Sequence, residues 1–182
     1  MPRRRPTLSA LPCLALLLGL AGCTGIPAGL EPVTGFEPER YMGEWYEVAR
    51  LDHSFERGLT FVTATYTAQE DGSVEVVNRG FDEEDDEWEE AQGSATFQGP
   101  RDVASLSVVF FWPFYGGYHV LALDPDYQWS LVCGPSRDYL WILSRTPQLS
   151  DDVRTTLVAK ARAWGFRTDE LIWVPHQRKR DR

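Results

Sequence analysis

Three histidines, three cysteines and one dense acidic run are the side chains that could do chemistry in this 182-residue chain. His53, His119 and His176 stand far apart and share no metal-type spacing, so no metal site is expected. The G-x-S-x-G turn that presents a nucleophilic serine is missing from the sequence. Cys133 has no neighbouring basic residue or helix start to lower its pKa, and reads as a small buried hydrophobe. Eight acids occupy the nine positions from Asp82 to Glu90, around Trp88. In an exposed loop they cannot tune one another for acid–base work, and they read as a solvated, solubilising run. No catalytic residue, no enzyme and no cofactor are expected.

The chemistry that the sequence does carry is a modification. Arg3, Arg4 and Arg5 precede an apolar run from Leu8 to Leu20, interrupted at Pro12. This reads as a secretory signal over residues 1–22, too short and wrongly flanked for a membrane-spanning helix. Leu20-Ala21-Gly22-Cys23 resembles the bacterial lipobox, which implies cleavage before Cys23 and lipidation of that cysteine. Several acyl chains, at roughly 0.8 kcal/mol per buried CH2, hold a soluble domain firmly on a bilayer. Thr24 follows, where an Asp would resemble an inner-membrane retention signal. The expected place is therefore the bacterial outer membrane, with the domain facing the periplasm. Cys13 leaves with the signal, so Cys133 is alone and no internal disulfide is expected. The formal charge of −9 loses three arginines with the signal and becomes −12. Such a field does not attract nucleic acid or anionic lipid.

The elements that must position any site are short strands. Residues 23–35 carry the lipid and read as a flexible tether, in which about 12 residues reach roughly 40 Å. Phe36 to Met42 suggests one turn of helix. Strands are expected at about 43–52, 59–67, 74–81, 88–97, 103–111, 118–123, 127–133 and 139–145, with turns such as Asp71-Gly72 between them. In the first strand, Glu47 falls on the same face as Trp45 by simple alternation. Either the strand bends there or Glu47 has a partner. Ser150 caps a helix whose Val153, Leu157, Ala161 and Trp164 make one apolar stripe, closed by Gly165. A short strand at 171–174 follows, and residues 176–182 read as a charged C-terminal tail. Strands that never alternate with helices exclude parallel βαβ units. Eight short antiparallel strands point to an all-β sandwich or closed barrel.

At this point the chain, from 36 to 175, resembles the lipocalins, and closely the bacterial outer-membrane lipoprotein lipocalins. The resemblance rests on Gly43-x-Trp45 with Tyr46 to Arg50, on Asp126-Tyr127 and on Arg145. It rests too on Phe55 to Leu59, Pro113 to Tyr118, Cys133-Gly134-Pro135 and Arg137 to Pro147. It implies an eight-stranded antiparallel up-and-down β-barrel with one C-terminal α-helix packed outside and a short last strand. Gly43, Trp45, Asp126, Tyr127 and Arg145 would form the closed end, with the Arg145 guanidinium stacked on the Trp45 indole.

Alternation then assigns the lining. Val62, Ala64 and Tyr66 face inward, with Val74, Val76 and Asn78. So do Leu106, Val108 and Phe110, then Tyr118, Val120 and Ala122, then Trp141 and Leu143. From the pattern alone a packed core and a cavity stay equally open. The resemblance implies a cavity, with Asn78, the Tyr66 and Tyr118 hydroxyls and the Trp141 N–H as its polar points. The mouth would be built from residues 53–58, 82–87, 112–117 and 134–138, with Arg57 and Arg137 as its cations. The expected function is binding of a fatty acid or lysophospholipid, for lipid storage or transport in envelope maintenance, by a monomer or homodimer. Two alternatives stay open: a carrier of another planar apolar ligand such as a pigment or haem-like molecule, and an envelope structural or inhibitory module without a ligand.

Overall fold

The computed structural model describes residues 24–177. The signal, Cys23 and residues 178–182 lie outside the described residues. Eight strands run in sequence as an antiparallel meander: β1 Gly43–Arg50, β2 Leu59–Ala68, β3 Val74–Asp82, β4 Glu87–Phe97, β5 Ser105–Phe111, β6 Phe114–Leu123, β7 Trp129–Cys133 and β8 Leu140–Ser144. β8 pairs with β1 and β1 with β2, so the sheet closes into a barrel. A closed sheet has no exposed edge, and eight strands leave room for one small ligand.

Short acids set the turns. Asp71 accepts the Ser73 N–H and hydroxyl, and Asp82 accepts the N–H groups of Glu84 and Asp85. Asp124 accepts those of Asp126 and Gln128. Such side-chain acceptors stand in for backbone carbonyls and fix a tight reversal. The β5–β6 connection is tighter than expected. Phe114 to Gly117 belong to β6, and only Trp112 and Pro113 form the turn. Aromatic side chains suit a pleated strand, so they extend the hairpin rather than interrupt it.

Bulges decide which side chains enter the barrel. The β1–β8 register shifts between Glu47 and Ala49, the β2–β3 register between Thr60 and Thr63, and the β6–β7 register between Val120 and Ala122. Each shift reverses the alternation beyond it. After the first, Val48 and Ala49 both face outward while Arg50 returns inward, opposite Trp141. β1 pairs with β2 only over Gly43 to Tyr46. Above the bulge, β9 (Ile172–Trp173) pairs with β1 instead, and Pro175 accepts the Phe61 N–H. The C-terminal segment thus covers the side of β1 that β2 leaves unpaired. It extends past the expected end at 175, because the His176 ring pairs with the Glu47 carbonyl at 2.9 Å and lies edge-on to Tyr46.

Two apolar layers result. The inner one fills the lower barrel: Phe36, Tyr41, Trp45, Tyr66, Val74, Leu106, Val120, Val132 and others. The outer one lies between the barrel wall and α2 (Asp151–Ala163), with Leu121, Leu131, Cys133, Leu140 and Ile142 meeting Leu157 and Ala161. Ser150 caps that helix, its Oγ accepting the Val153 N–H.

The segment before the barrel packs on its outer wall, in contrast to a free tether. Leu30 is buried in the outer layer. The Val33 N–H donates to Val120, the Phe36 N–H to Asp102, and the Ala104 N–H back to Val33. Its prolines and Leu30 give it apolar surface to bury, which a tether does not need. A short helix, α1 (Pro38–Tyr41), then crosses the closed end.

Candidate functional site

The closed end is assembled first. Gly43 opens β1 with φ +92, a conformation that side chains disfavour, directly beneath the Arg145 guanidinium. Trp45 is fully buried, and its indole N–H donates to the Tyr41 carbonyl at 2.8 Å. The Arg145 guanidinium carbon sits 3.9 Å from the Trp45 ring centroid. That guanidinium also donates to the carbonyls of Glu44, Arg40 and Met42. Its role is to cap carbonyls that the α1–β1 turn leaves unpaired, while stacking on the ring. Tyr127 is buried in a left-handed turn, and its hydroxyl accepts the Glu37 N–H. Asp126 stays exposed beside it and contributes only backbone to the turn.

Above Trp45 the interior holds a chain of hydroxyls. Tyr41 donates to Ser130 at 3.0 Å. Its only proton is then used, so the 2.8 Å contact with Tyr118 runs from Tyr118 to Tyr41. By the same count Tyr66 donates to Tyr118 at 2.9 Å. Burial pushes the Tyr41 phenol up to about 12, and those of Tyr66 and Tyr118 well above their ordinary value. These hydroxyls are committed to one another, so they are not free points for a ligand's head group.

Val62, Ala64, Tyr66, Val74, Val76, Asn78, Leu106, Val108, Phe110, Tyr118, Val120, Trp141 and Leu143 face inward. Ala122 does not. The bulge at Leu121 turns both residues to the outer layer, and Leu123 takes the inward position opposite Ser130. Burial along this lining is graded. Ala64, Val74, Val76, Leu106, Val120 and Leu143 are buried, whereas Asn78, Val108, Phe110, Tyr118 and Trp141 are half-buried. The packed half is the closed end, and the half that keeps accessible surface is the mouth.

The mouth half also contains ionisable groups, of which alternation marked only Glu47. Glu47 and Arg50 are 3% and 2% exposed, with Arg50 Nη1 2.7 Å from Glu47 Oε1. Arg50 also donates to the carbonyls of Glu56 and Leu59. Glu56 Oε2 accepts the Trp141 indole N–H at 3.2 Å and lies 3.2 Å from His53 Nε2, without the alignment of a hydrogen bond. Burial holds the Glu47 carboxyl well above the usual range, and the Glu56 charge adds to this against the pull of Arg50. Burial also raises Glu56, but His53, Trp141 and Arg50 outweigh it and leave that carboxyl lowered. Burial and the Glu56 charge thus favour the neutral form of Glu47, while His53, Trp141 and Arg50 favour the charged form of Glu56. The single signal in the sequence was Glu47 itself, inward beside Trp45. Both of its possible explanations hold: the strand bulges after it, and the bulge delivers its partner.

The proposed mouth cations are engaged elsewhere. Arg57 is clamped by Asp52 at 2.6 Å, in the open. Arg137 turns to the outer wall, donating to Trp164 and Ala28 carbonyls. Around the mouth, His53, Phe55, Tyr139 and Trp141 stack with ring centroids 4.0 to 6.4 Å apart. Among the described residues no group of three metal-ligating side chains converges.

This geometry meets its relatives. The lipocalin-like domain model matches residues 36–176. The chain belongs to the lipocalin family. It is 47% identical to outer membrane lipoprotein Blc of Citrobacter freundii, over 93% of this chain and 95% of that one. It is 51% identical to outer membrane lipoprotein Blc of Escherichia coli K12, over 81% and 84% of the two chains. Insecticyanin from Manduca sexta shares the fold, with a TM-score of 0.65 at 18% identity, covering 85% of this chain and 88% of that one. As a lipocalin of this kind, the protein is a lipid-anchored outer-membrane protein, in a family of mostly carrier proteins for small hydrophobic ligands.

Proposed function

We propose that this lipocalin binds a single-chain lipid, a fatty acid or lysophospholipid, with its acyl chain in the upper barrel, and serves lipid storage or transport in envelope maintenance. The observation that carries the reading is the burial gradient. Val108, Phe110 and Trp141 face inward and are half-buried, beside a closed end that is fully packed. An acyl chain covers such a wall, each CH2 contributing roughly 0.8 kcal/mol. The Arg50 guanidinium is held by Glu47 and by the carbonyls of Glu56 and Leu59, with its buried Nε unpartnered, so the cluster offers a head group little. Affinity therefore follows chain length more than head group, and the head group stays near the mouth. Cys23 is the residue that carries the lipid anchor in this reading.

The test is native mass spectrometry of the protein titrated with fatty acids, lysophospholipids and diacyl phospholipids, with tryptophan fluorescence followed in parallel. Saturable one-to-one binding of single-chain lipids, lost in Val108→Asp, is the expected result. A folded protein that takes up none of them has a filled barrel and is not a carrier of lipid.

A further inference from the structure

The hairpin of β5 and β6 stands out against the rest of the surface. From Val103 to Leu123 the sequence has no Asp, Glu, Lys or Arg, in a chain that is 25% charged. Its tip is aromatic and bare: Phe111 is 74% exposed, Trp112 81% and Phe114 77%. Three adjacent large apolar side chains left in water need a reason. Tyr115, beside them, is 45% exposed, and the tip stands at the mouth end.

The second observation concerns where the N-terminal segment stops. Thr24 is held against the outer wall of this same hairpin. Gln98 Nε2 donates to the Thr24 carbonyl at 2.7 Å. A Cβ on Gly117 would lie 2.9 Å from the Thr24 carbonyl oxygen and 2.7 Å from His119 Nε2, so Thr24 occupies space that only glycine at 117 leaves. Phe114 stands three positions before Gly117 in β6, roughly 10 Å at strand spacing. Cys23 is the next residue, about 3.8 Å further along the chain. The leash between barrel and anchor is thus one peptide unit, and it ends on the wall of the aromatic hairpin.

We propose that the β5–β6 hairpin is a second membrane contact, its tip of Phe111, Trp112 and Phe114 entering the bilayer that holds the lipid on Cys23, so that the barrel mouth faces that bilayer. Acyl chains leaving Cys23 put the membrane surface at the level of Thr24, and the hairpin reaches roughly 10 Å beyond it. Interfacial apolar groups bury about 5–10 Å into a bilayer, and tryptophan favours that zone. The acidic β3–β4 turn on the same rim disfavours a strongly anionic surface and tilts the mouth so that this turn stays in water. The occupant is accordingly a bilayer rich in zwitterionic lipid. The proposal rests on acylation of Cys23, and through the mouth it gives the bound lipid a route between leaflet and barrel that avoids bulk water.

The full acylated chain is reconstituted into vesicles of phosphatidylethanolamine and phosphatidylcholine in equal parts, containing lipids brominated at defined acyl depths. The fluorescence of Trp112 is isolated as the difference between the wild type and Trp112→Phe. Quenching of that signal by shallow bromines, lost in Phe111→Ser/Phe114→Ser while both proteins co-float with vesicles, is the expected result. An unquenched Trp112 in a co-floating protein overturns the proposal, and a dimer joined through its hairpins would give that same outcome. Loss of flotation in Cys23→Ser reads the acylation separately. Lipid uptake by mass spectrometry reads the carrier function separately, since none of these substitutions touches the interior.

Discussion

At the closed end of the barrel, Trp45 is fully buried, its one N–H is satisfied by Tyr41, and Arg145 covers it from outside. At the mouth, Arg50 is just as deeply buried, but it faces two carboxyls that folding shifts in opposite directions. Both ends combine an arginine with an indole. At one end the charge stays at the surface and caps carbonyls. At the other it lies inside and is balanced only by its neighbours. The first arrangement is insensitive to pH and fixes the fold. The second is sensitive to it and stands where a ligand would enter.

Substitutions can break this contrast in order of size. Trp45→Ala should cost about 4 kcal/mol, because it opens a large cavity in the packed end. Chemical denaturation should show that loss equally at pH 5 and pH 8. Arg50→Met should cost about 3 kcal/mol near neutral pH, since it strands the Glu56 charge in the interior. Its melting temperature should recover toward the wild-type value as acid protonates Glu56, and a uniform loss at all pH values would refute the charge balance. Tyr118→Phe removes the middle of the hydroxyl chain and leaves Tyr41 without its donor, for about 1 kcal/mol. Chemical denaturation should show that loss alike at pH 5 and pH 8.

The smallest effect is the most informative. Glu47 is raised by folding, so it favours the folded state below its ordinary value of 4.5 and that contribution is lost as pH rises. Glu56 is lowered, so its contribution appears above that value and is lost as pH falls. The two oppose each other. Glu47→Gln mimics the protonated acid, should change stability by under about 1 kcal/mol at pH 5, and should abolish the decline in stability that the wild type shows as pH rises above 4.5. Melting curves across pH 4 to 8 decide it.

The strand order and the outer helix were legible because they rest on local signals: turn acids, alternation and a capped apolar stripe; the closed end came from the lipocalin resemblance. Ala122 was misplaced because a bulge adds one residue without any mark in the hydrophobic pattern. The Arg50–Glu56–His53 cluster stayed hidden for a related reason. Its members come from a bulged strand and the loop after it, and only closure of the barrel brings Trp141 to them. Arg57 and Arg137 looked available because sequence position says nothing about where a long side chain turns. The N-terminal segment read as a tether because its glycines and prolines suit a linker equally well. Its hydrogen bonds to Val120 and Asp102 are made across more than sixty residues of chain.

Cys133 sits in the layer between barrel and helix, where burial pushes its thiol up to about 12. A maleimide or aromatic disulfide reagent reads only thiolate, so the folded protein should be silent toward it at neutral pH. Each lifting of α2 from the wall would expose the sulfur and let the reagent trap it irreversibly. Labelling then becomes a clock for local opening, set by the population of the open form when reclosure is fast. Because the helix lies on the outside and the ligand chamber on the inside, the clock would show whether filling the barrel quiets its opposite face.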